Sequence, residues 1–195
     1  MLSKRKINKQ GKDSELLVAN CLRSLGTEYT VFNNVMLKTS RGTTQVDHIV
    51  VSPYGVFVIE TKSHKGMLFG DCKSKNWTQC LYSKKGIQRY PFYSPYLQNA
   101  GHLKNLYKLT GLNYKYFLGL IVFTNNSVDL SHVSCSNACK VSDLVGIIYS
   151  YRTVILDNAQ VVRICNLLKN SNIQSKYMDN KHKKYVESLR KGKKL

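Results

Sequence analysis

Two carboxylates and an amine lie close together in the most chemically informative stretch of this chain. Asp47 lies in one apolar run, and Glu60 and Lys62 end the next apolar run. Carboxylate oxygens are ligands that Mg²⁺ and Mn²⁺ prefer, and a bound ion lowers the pKa of water and draws charge from a phosphate. A neighbouring lysine can orient or deprotonate that water, or stabilise developing negative charge. These residue types therefore suit metal-dependent cleavage of a phosphodiester bond.

A β-hairpin is predicted to carry these residues. Residues 46–51 and 56–61 are rich in β-branched and aromatic side chains, as strands are. Pro53 and Gly55 stand between them, at positions that suit a type I turn. The two segments are therefore predicted to pair as antiparallel strands.

The register of this hairpin decides whether the two carboxylates meet. With a two-residue loop, Asp47 becomes a direct cross-strand neighbour of Glu60. Lys62 then projects from the same face as Glu60, because side chains alternate along a strand. A three-residue loop with a glycine bulge is the rival, and it would shift the pairing by one residue and separate the carboxylates. We choose the first register because it assembles a functional site.

A solvated surface hairpin with an ordinary salt bridge would show the same three residues, since short motifs recur by chance. The flanking segments, however, are apolar enough to bury both strands. The whole chain also contains only 11 Asp and Glu residues. Two carboxylates beside an apolar strand core are therefore better explained by a function.

The chain resembles the nuclease-related domain (NERD) family, above all in the motif from Gln45 to Lys62. Shorter matches extend the resemblance over roughly residues 10–125: Gly11, Glu15, Lys65-Gly66, Phe69-Gly70, Trp77 and Pro95-Tyr96-Leu97-Gln98-Asn99. This family is placed in the PD-(D/E)xK, or restriction-endonuclease-like, superfamily. The resemblance implies an α/β three-layer fold, in which helices flank a central mixed β-sheet.

The resemblance also implies roles for individual residues. It makes Asp47 and Glu60 the metal-binding carboxylates and Lys62 the catalytic lysine. Glu15 would approach the metal from the first helix, directly or through a water, and Gln98 would orient substrate or water from the helix after the sheet. The remaining candidates are the backbone carbonyl of Thr61 as a third ligand and, as substrate contacts, Gln45, His64, Lys84, Lys85 and Arg89.

The charge of the chain indicates a polyanionic partner. Thirty Lys and Arg residues against 11 Asp and Glu give a formal net charge of +19. Nucleic acid, and DNA in particular, is the expected partner because phosphates bind such proteins strongly. Basic residues are dense at both ends, which predicts a basic N-terminal arm at 1–10, a nuclease-like domain at 11–170 and a basic C-terminal extension at 171–195. Mg²⁺ or Mn²⁺ is the expected cofactor.

Several classes of protein are disfavoured. No apolar run has the length of a membrane span, and no apolar segment follows the basic N-terminus, so we expect a cytoplasmic protein without a membrane partner. The six cysteines show no secretory framework, and a zinc site is disfavoured because the C-x-x-C spacing is missing. Cutting both strands of a duplex needs two sites, which makes a homodimer a further expectation.

The remaining elements follow from apolar periodicity. A first helix is predicted to be capped by Asp13 or Ser14 and to end at Gly26, with Leu17, Cys21 and Leu25 on its buried face. The later elements are predicted as an edge strand at 29–37, a short strand at 67–69 that extends the hairpin, a helix at 95–109, a buried strand at 116–124 and a last core helix at 158–169.

One segment and two histidines near the site also receive assignments. Tyrosines and basic residues alternate over residues 82–96, which we interpret as a candidate substrate loop. His102 shares a helix face with Gln98, and it is assigned a structural role only. His48 alternates to the opposite sheet face from Asp47 and is also interpreted as structural.

Three functions from different classes fit these patterns. The first is a divalent-metal-dependent DNA endonuclease, and the second is a non-catalytic nucleic-acid-binding module that retains the nuclease fold. The third is a regulatory subunit whose basic surface meets an acidic protein. The complete set of two acids and a lysine favours the first, because a module that only bound phosphate would do better without two carboxylates in its groove.

Overall fold

The computed structural model describes residues 4–40, 42–84, 86–173 and 187, with residues 4–8 described through their backbone alone. Within these residues the chain forms four α-helices and nine β-strands. In chain order they are α1 (Lys4–Leu22), β1 (Thr30–Thr39), β2 (Gly42–Ser52), β3 (Gly55–Lys62), β4 (Gly66–Asp71), β5 (Asn76–Ser83), β6 (Gly86–Tyr93), α2 (Pro95–Thr110), β7 (Phe117–Phe123), β8 (Val128–Ser134), β9 (Ala138–Lys140), α3 (Leu144–Ser150) and α4 (Asn158–Ser171). The expected strand at the start, the helix after the sheet, the buried strand and the last core helix are all confirmed.

The main sheet has the strand order β1-β2-β3-β7-β9. Its first three strands are antiparallel, whereas β3 pairs with β7 and β7 pairs with β9 in parallel. The sheet is therefore mixed, and β1 is an edge strand as predicted. Strands β2 and β3 are buried over most of their length, because both faces of the sheet are covered by helices.

Helices cover the sheet from both sides and complete three layers. On one face, α2 and α4 pack on the sheet through Leu106 and Ile164. On the other face, α1 and α3 pack through Val18 and Leu144. This is the predicted α/β architecture with a central mixed sheet flanked by helices. No helix in the described part of the chain is both long enough and apolar enough to cross a membrane.

A second sheet, which the sequence did not predict, has the order β6-β5-β4-β8. The expected short strand at 67–69 belongs to β4 of this sheet, so the prediction that it extends the hairpin of the main sheet is wrong. The predicted loop at 82–96 is also wrong, since these residues include the end of β5, the strand β6 and the start of α2, whereas their contact with substrate stays a prediction. β6 is exposed along almost its whole length and so lacks the apolar alternation that identifies a strand.

The first helix differs from its prediction in its start, in its buried face and in its end, which is Leu22 rather than Gly26. α1 begins at Lys4, so Asp13 and Ser14 lie inside the helix and do not cap it. The buried side chains are Ser14, Val18 and Leu22, whereas Leu17 is 46% exposed. The predicted face was one residue out of phase, because both Leu17 and its apolar neighbour Val18 can begin a buried face with helical spacing.

The helix that follows the second sheet is held at both ends. The Ser94 side chain accepts a hydrogen bond from the backbone of Leu97, Pro95 occupies the first turn, and Gly111 ends the helix in the left-handed conformation. In its middle, the Asn99 amide donates hydrogen bonds of 3.0 Å to the carbonyls of Val58 and Leu120. α2 is thereby fixed across β3 and β7.

Candidate active site

The hairpin of β2 and β3 adopts the register that brings the two acids together. Its pairs run from Ser52 opposite Gly55 to His48 opposite Ile59, so the two-residue loop is confirmed and the rival register is wrong. Beyond the last pair, the backbone N–H of Thr61 donates a 2.8 Å hydrogen bond to Oδ2 of Asp47. The Asp47 carboxylate therefore lies against the last residues of β3, beside Glu60 and near Lys62.

Glu60 is the centre of the site and is almost fully buried. Its Oε1 accepts a hydrogen bond from Nζ of Lys62, and its Oε2 lies 3.1 Å from Nε2 of His102. The same Lys62 ammonium donates to Oε1 of Gln98 at 3.2 Å. One buried carboxylate is thus held between a lysine from its own strand and a histidine from α2.

The helix α2 supplies two side chains to this site. Gln98 and His102 are one turn apart and face the sheet together, as the sequence spacing predicted. Asn99 lies between them and anchors the helix to the backbone of β3 and β7. Because the anchor lies next to the site residues, their positions relative to Glu60 are set by backbone contacts.

The pKa values of the two hairpin acids shift in opposite directions. Burial by itself raises the pKa of Glu60, but attraction to Lys62 and the hydrogen bond from His102 outweigh it, and the pKa lies below its ordinary value. For Asp47, burial and repulsion from Glu60 raise the pKa well above its ordinary value. The pair therefore contains one firmly ionised carboxylate and one whose ionised form is disfavoured.

Glu15 adds a third acid from α1. Burial and repulsion from Glu60 raise the pKa of its carboxyl. The preceding residue fixes the helix here, because the hydroxyl of Thr124 donates to that of Ser14 at 2.9 Å at the end of β7. Glu15 thus lies close enough to the site to sense its charge.

The side chains of the site fit a hard divalent cation. Asp47 and Glu60 offer carboxylate oxygens, which Mg²⁺ and Mn²⁺ prefer, and the raised pKa of Asp47 shows that its ionised form is disfavoured, which a bound cation would reverse. Among the described residues, however, no three His, Cys, Asp or Glu side chains form a cluster that could hold an ion. Two carboxylates alone would fill only part of the coordination sphere of such an ion. The six cysteines are free thiols.

The candidate substrate contacts do not lie together. The Gln45 side chain donates to Oδ1 of Asn34 at 2.9 Å on the main sheet, and the His64 ring stacks on Phe92 with 4.0 Å between centroids. Lys84 and Arg89 are exposed on the hairpin of β5 and β6. Lys85 lies outside the described residues.

Sequence reasoning assigned His102 only a structural role, whereas the structure places it on Glu60. The other ring nitrogen, Nδ1, lies 2.9 Å from Oγ1 of Thr44. The signal that could have found it is its spacing from Gln98, since residues four apart share a helix face. His48 is structural as expected, because it is buried and its Nδ1 lies 2.7 Å from Oδ1 of Asn33.

Comparison with known proteins agrees with this geometry. The family model described as nuclease-related domain matches residues 10–124, which include β2, β3 and α2. An uncharacterized protein of Bacillus anthracis is 34% identical over 185 residues, which cover 92% of this chain and 84% of that protein. No solved structure matches. The chain belongs to the nuclease-related domain (NERD) family, within the PD-(D/E)xK-like nuclease superfamily.

Proposed function

We propose that this protein is a divalent-metal-dependent nuclease that hydrolyses phosphodiester bonds in DNA. The observation that carries the proposal is the position of Glu60, which is buried between Lys62 and His102 and lies beside a second carboxylate, that of Asp47, whose ionised form is disfavoured. A buried acid that served only stability would not gain from a like charge at its side. A cation and a phosphate account for this arrangement.

Each side chain has a role in this proposal. Asp47 and Glu60, with the carbonyl of Thr61, would hold Mg²⁺ or Mn²⁺, and Glu15 would contribute directly or through a water. When bound, the ion supplies charge stabilisation to the phosphate and lowers the pKa of water. The backbone N–H of Thr61 fixes one oxygen of Asp47, so the other oxygen remains available.

Lys62 provides the positive charge of the protein at the reacting phosphate. Its ammonium contacts Glu60 and Gln98, and these two acceptors hold it at the end of β3. A fixed ammonium stabilises the negative charge that develops on the phosphate, and it requires little reorganisation during the reaction. Gln98 in this scheme positions the lysine as well as the substrate.

DNA is the proposed substrate because of the charge of the chain. A net charge of +19 favours a polyanion. Gln45, His64, Lys84, Lys85 and Arg89 are the proposed substrate contacts. Cleavage of both strands of a duplex needs two sites, and for such a substrate we propose that two copies of the chain act together.

The test is DNA cleavage by the purified chain with Mg²⁺ or Mn²⁺, compared with Glu60→Gln and Lys62→Met. Both variants preserve side-chain size, and each should reduce the rate by at least about 100-fold, as loss of a transition-state contact does. The matched controls are Glu28→Gln and Lys169→Met, which change exposed residues of the same types and should cleave like the wild type.

Equal cleavage by the wild type and both site variants would indicate a contaminating nuclease and would overturn the proposed site. DNA binding without cleavage, over duplex, single-stranded and branched substrates, would instead favour the non-catalytic binding module.

A further inference from the structure

The hairpin of β5 and β6, called the ribbon from here on, projects from the second sheet. β4 pairs only with the central part of β5, from Phe69 opposite Thr78 to Met67 opposite Cys80. Beyond this part, β5 and β6 pair only with each other, up to Ser83 opposite Gly86. The outer half of the ribbon therefore exposes side chains on both faces.

One face of the ribbon continues from the candidate active site. Pairing and alternation place Phe92 opposite Trp77 at the base of this face, and Tyr90 opposite Gln79 above them. Trp77 packs on Phe123 of the main sheet. The ring of His64, two residues after Lys62, stacks on Phe92, so the face begins directly beside the site.

Tyr90 is the exposed aromatic side chain on this face. Its ring is 46% exposed, and its hydroxyl donates to Oε1 of Gln88 on the same strand. Gln79 donates to the carbonyl of Lys65. An exposed ring bordered by amides is an environment that can stack a base and donate or accept hydrogen bonds at its edge.

The positive charge of the segment that contains the ribbon indicates a polyanionic partner. Residues 72–128 contain no Asp or Glu, and they contain eight basic residues: Lys73, Lys75, Lys84, Lys85, Arg89, Lys104, Lys108 and Lys115. A phosphate backbone meets no repelling carboxylate from this segment. Stacking rings within a basic, acid-free segment are typical of proteins that bind single strands.

We propose that the ribbon binds an unpaired strand of DNA on the face that carries Tyr90, with a base stacked on the Tyr90 ring. Duplex DNA keeps its bases stacked inside and does not offer a base face to this ring. The proposal rests on the proposed function in one respect, namely that the bound strand is part of the substrate. It then makes the preferred substrate one with a single-stranded portion, which would run from Lys62 past His64 and Phe92 to Tyr90.

The test is fluorescence anisotropy with a labelled oligothymidylate and a labelled duplex of equal length, in EDTA so that no cleavage occurs. Tyr90→Ala should weaken oligothymidylate binding about tenfold, the loss expected for one stacked base. Tyr90→Phe should bind like the wild type because its ring is kept. Tyr90→Leu, which keeps apolar bulk without an aromatic ring, should bind like the alanine variant.

Two further tyrosines serve as controls. Tyr82→Ala changes the opposite face of the ribbon, and Tyr107→Ala removes a ring on α2 that is as exposed as that of Tyr90, at 46%. Both should stay within about twofold of the wild type, as surface substitutions do. Circular dichroism of each variant reports whether the fold is kept.

Three results would overturn the proposal. The first is unchanged oligothymidylate binding by Tyr90→Ala, or a loss in Tyr82→Ala of equal size. The second is wild-type binding to duplex only. The third is a wild-type dimer in sedimentation that Tyr90→Ala converts to a monomer, which would assign this face to a second copy of the chain. A wild type that cuts no DNA but binds oligothymidylate through Tyr90 would overturn the proposed function and leave this inference intact.

Discussion

The Nε2 of His102 lies 3.1 Å from Oε2 of Glu60, although the two residues are far apart in the sequence and in different elements. This contact fixes the buried carboxylate from the side opposite Lys62. It also connects the helix α2 to the strand that carries the acid and the lysine. The side chain of His102 is itself held by Thr44 at 2.9 Å, so its ring orientation is set from both ends.

We expect His102→Ala to lower the free energy of unfolding by about 1 to 3 kcal/mol, since a buried charge loses a hydrogen bond. Denaturant titration measures it. In a double-mutant cycle, His102→Ala in the Glu60→Gln background should cost less than in the wild type, because the charged partner is already gone. Thr44→Val keeps the Glu60 contact and should have a smaller effect. Additive losses in the cycle would contradict the coupling.

Asp47→Asn should stabilise the protein and abolish cleavage. The asparagine amide keeps an oxygen that accepts from the Thr61 N–H. It also replaces a carboxyl group whose pKa is raised by burial and by repulsion from Glu60. We expect the thermal midpoint at neutral pH to rise by about 2 to 4 °C, the shift that ~1 kcal/mol produces in a domain of this size. Differential scanning calorimetry without metal measures it.

Asp129→Asn is the matched control for this change. The Asp129 carboxylate is partly exposed and accepts hydrogen bonds from Ser131, which lower its pKa. Its ionised form is therefore favoured by folding, and the amide should not raise the midpoint. If the thermal midpoint of Asp47→Asn equals that of the wild type, the Asp47 carboxyl group does not destabilise the folded protein.

Local patterns in the sequence were sufficient where neighbouring residues decide the structure. The turn residues Pro53 and Gly55 and the two apolar runs predict the hairpin, and Pro95 marks the start of α2. The register was chosen on functional grounds, because the same turn residues also fit a three-residue loop. The relative positions of Asp47, Glu60 and Lys62 follow from that hairpin alone. This is why the centre of the candidate site could be predicted from the amino-acid sequence.

Contacts between distant segments could not be predicted in this way. His102 meets Glu60 only because Asn99 fixes α2 across β3 and β7, and no local pattern contains that contact. The ribbon was not predicted because β6 is exposed and has no buried face, so its sequence lacks the alternation of apolar and polar residues that identifies a strand. Leu17 was placed in the core because apolar neighbours made two helix phases equally good.

The protein should lose stability in acid through His64. Burial and the charge of Lys62 lower the pKa of His64 from 6.5 to about 4, so the unfolded chain binds a proton between these values and the folded chain does not. Stability is therefore full above pH 6.5 and falls as the pH drops towards 4. The total loss from this group is at most about 3 kcal/mol, and less because the ring is partly exposed.

His64→Phe keeps a ring on Phe92 and removes the titration. Its free energy of unfolding, measured by denaturant titration at a series of pH values, should fall less steeply between pH 6.5 and 4 than that of the wild type. Part of the slope should remain, because burial also lowers the pKa of His48 to about 4. Parallel curves for the two proteins would contradict the assignment.

The base of the ribbon depends on the absence of a side chain at Gly70. A Cβ atom there would lie 2.2 Å from the Trp77 ring, and Trp77 is fully buried between the two sheets. Because neither the backbone of β4 nor the ring can move freely, Gly70→Ala should lower the free energy of unfolding by about 1 to 3 kcal/mol. Trp77 is the single tryptophan of the chain, so its fluorescence reports both the unfolding and the displacement of the ring.

Gly101→Ala is the control for this change, since a Cβ at Gly101 meets nothing within 4 Å. It lies inside α2, where alanine is favoured over glycine by up to about 1 kcal/mol, and it should therefore stabilise the protein. Opposite signs for the two substitutions would show that the effect at position 70 comes from Trp77 and not from backbone freedom. If Gly70→Ala instead unfolded like the wild type with unchanged fluorescence, the second sheet would not be packed through this ring.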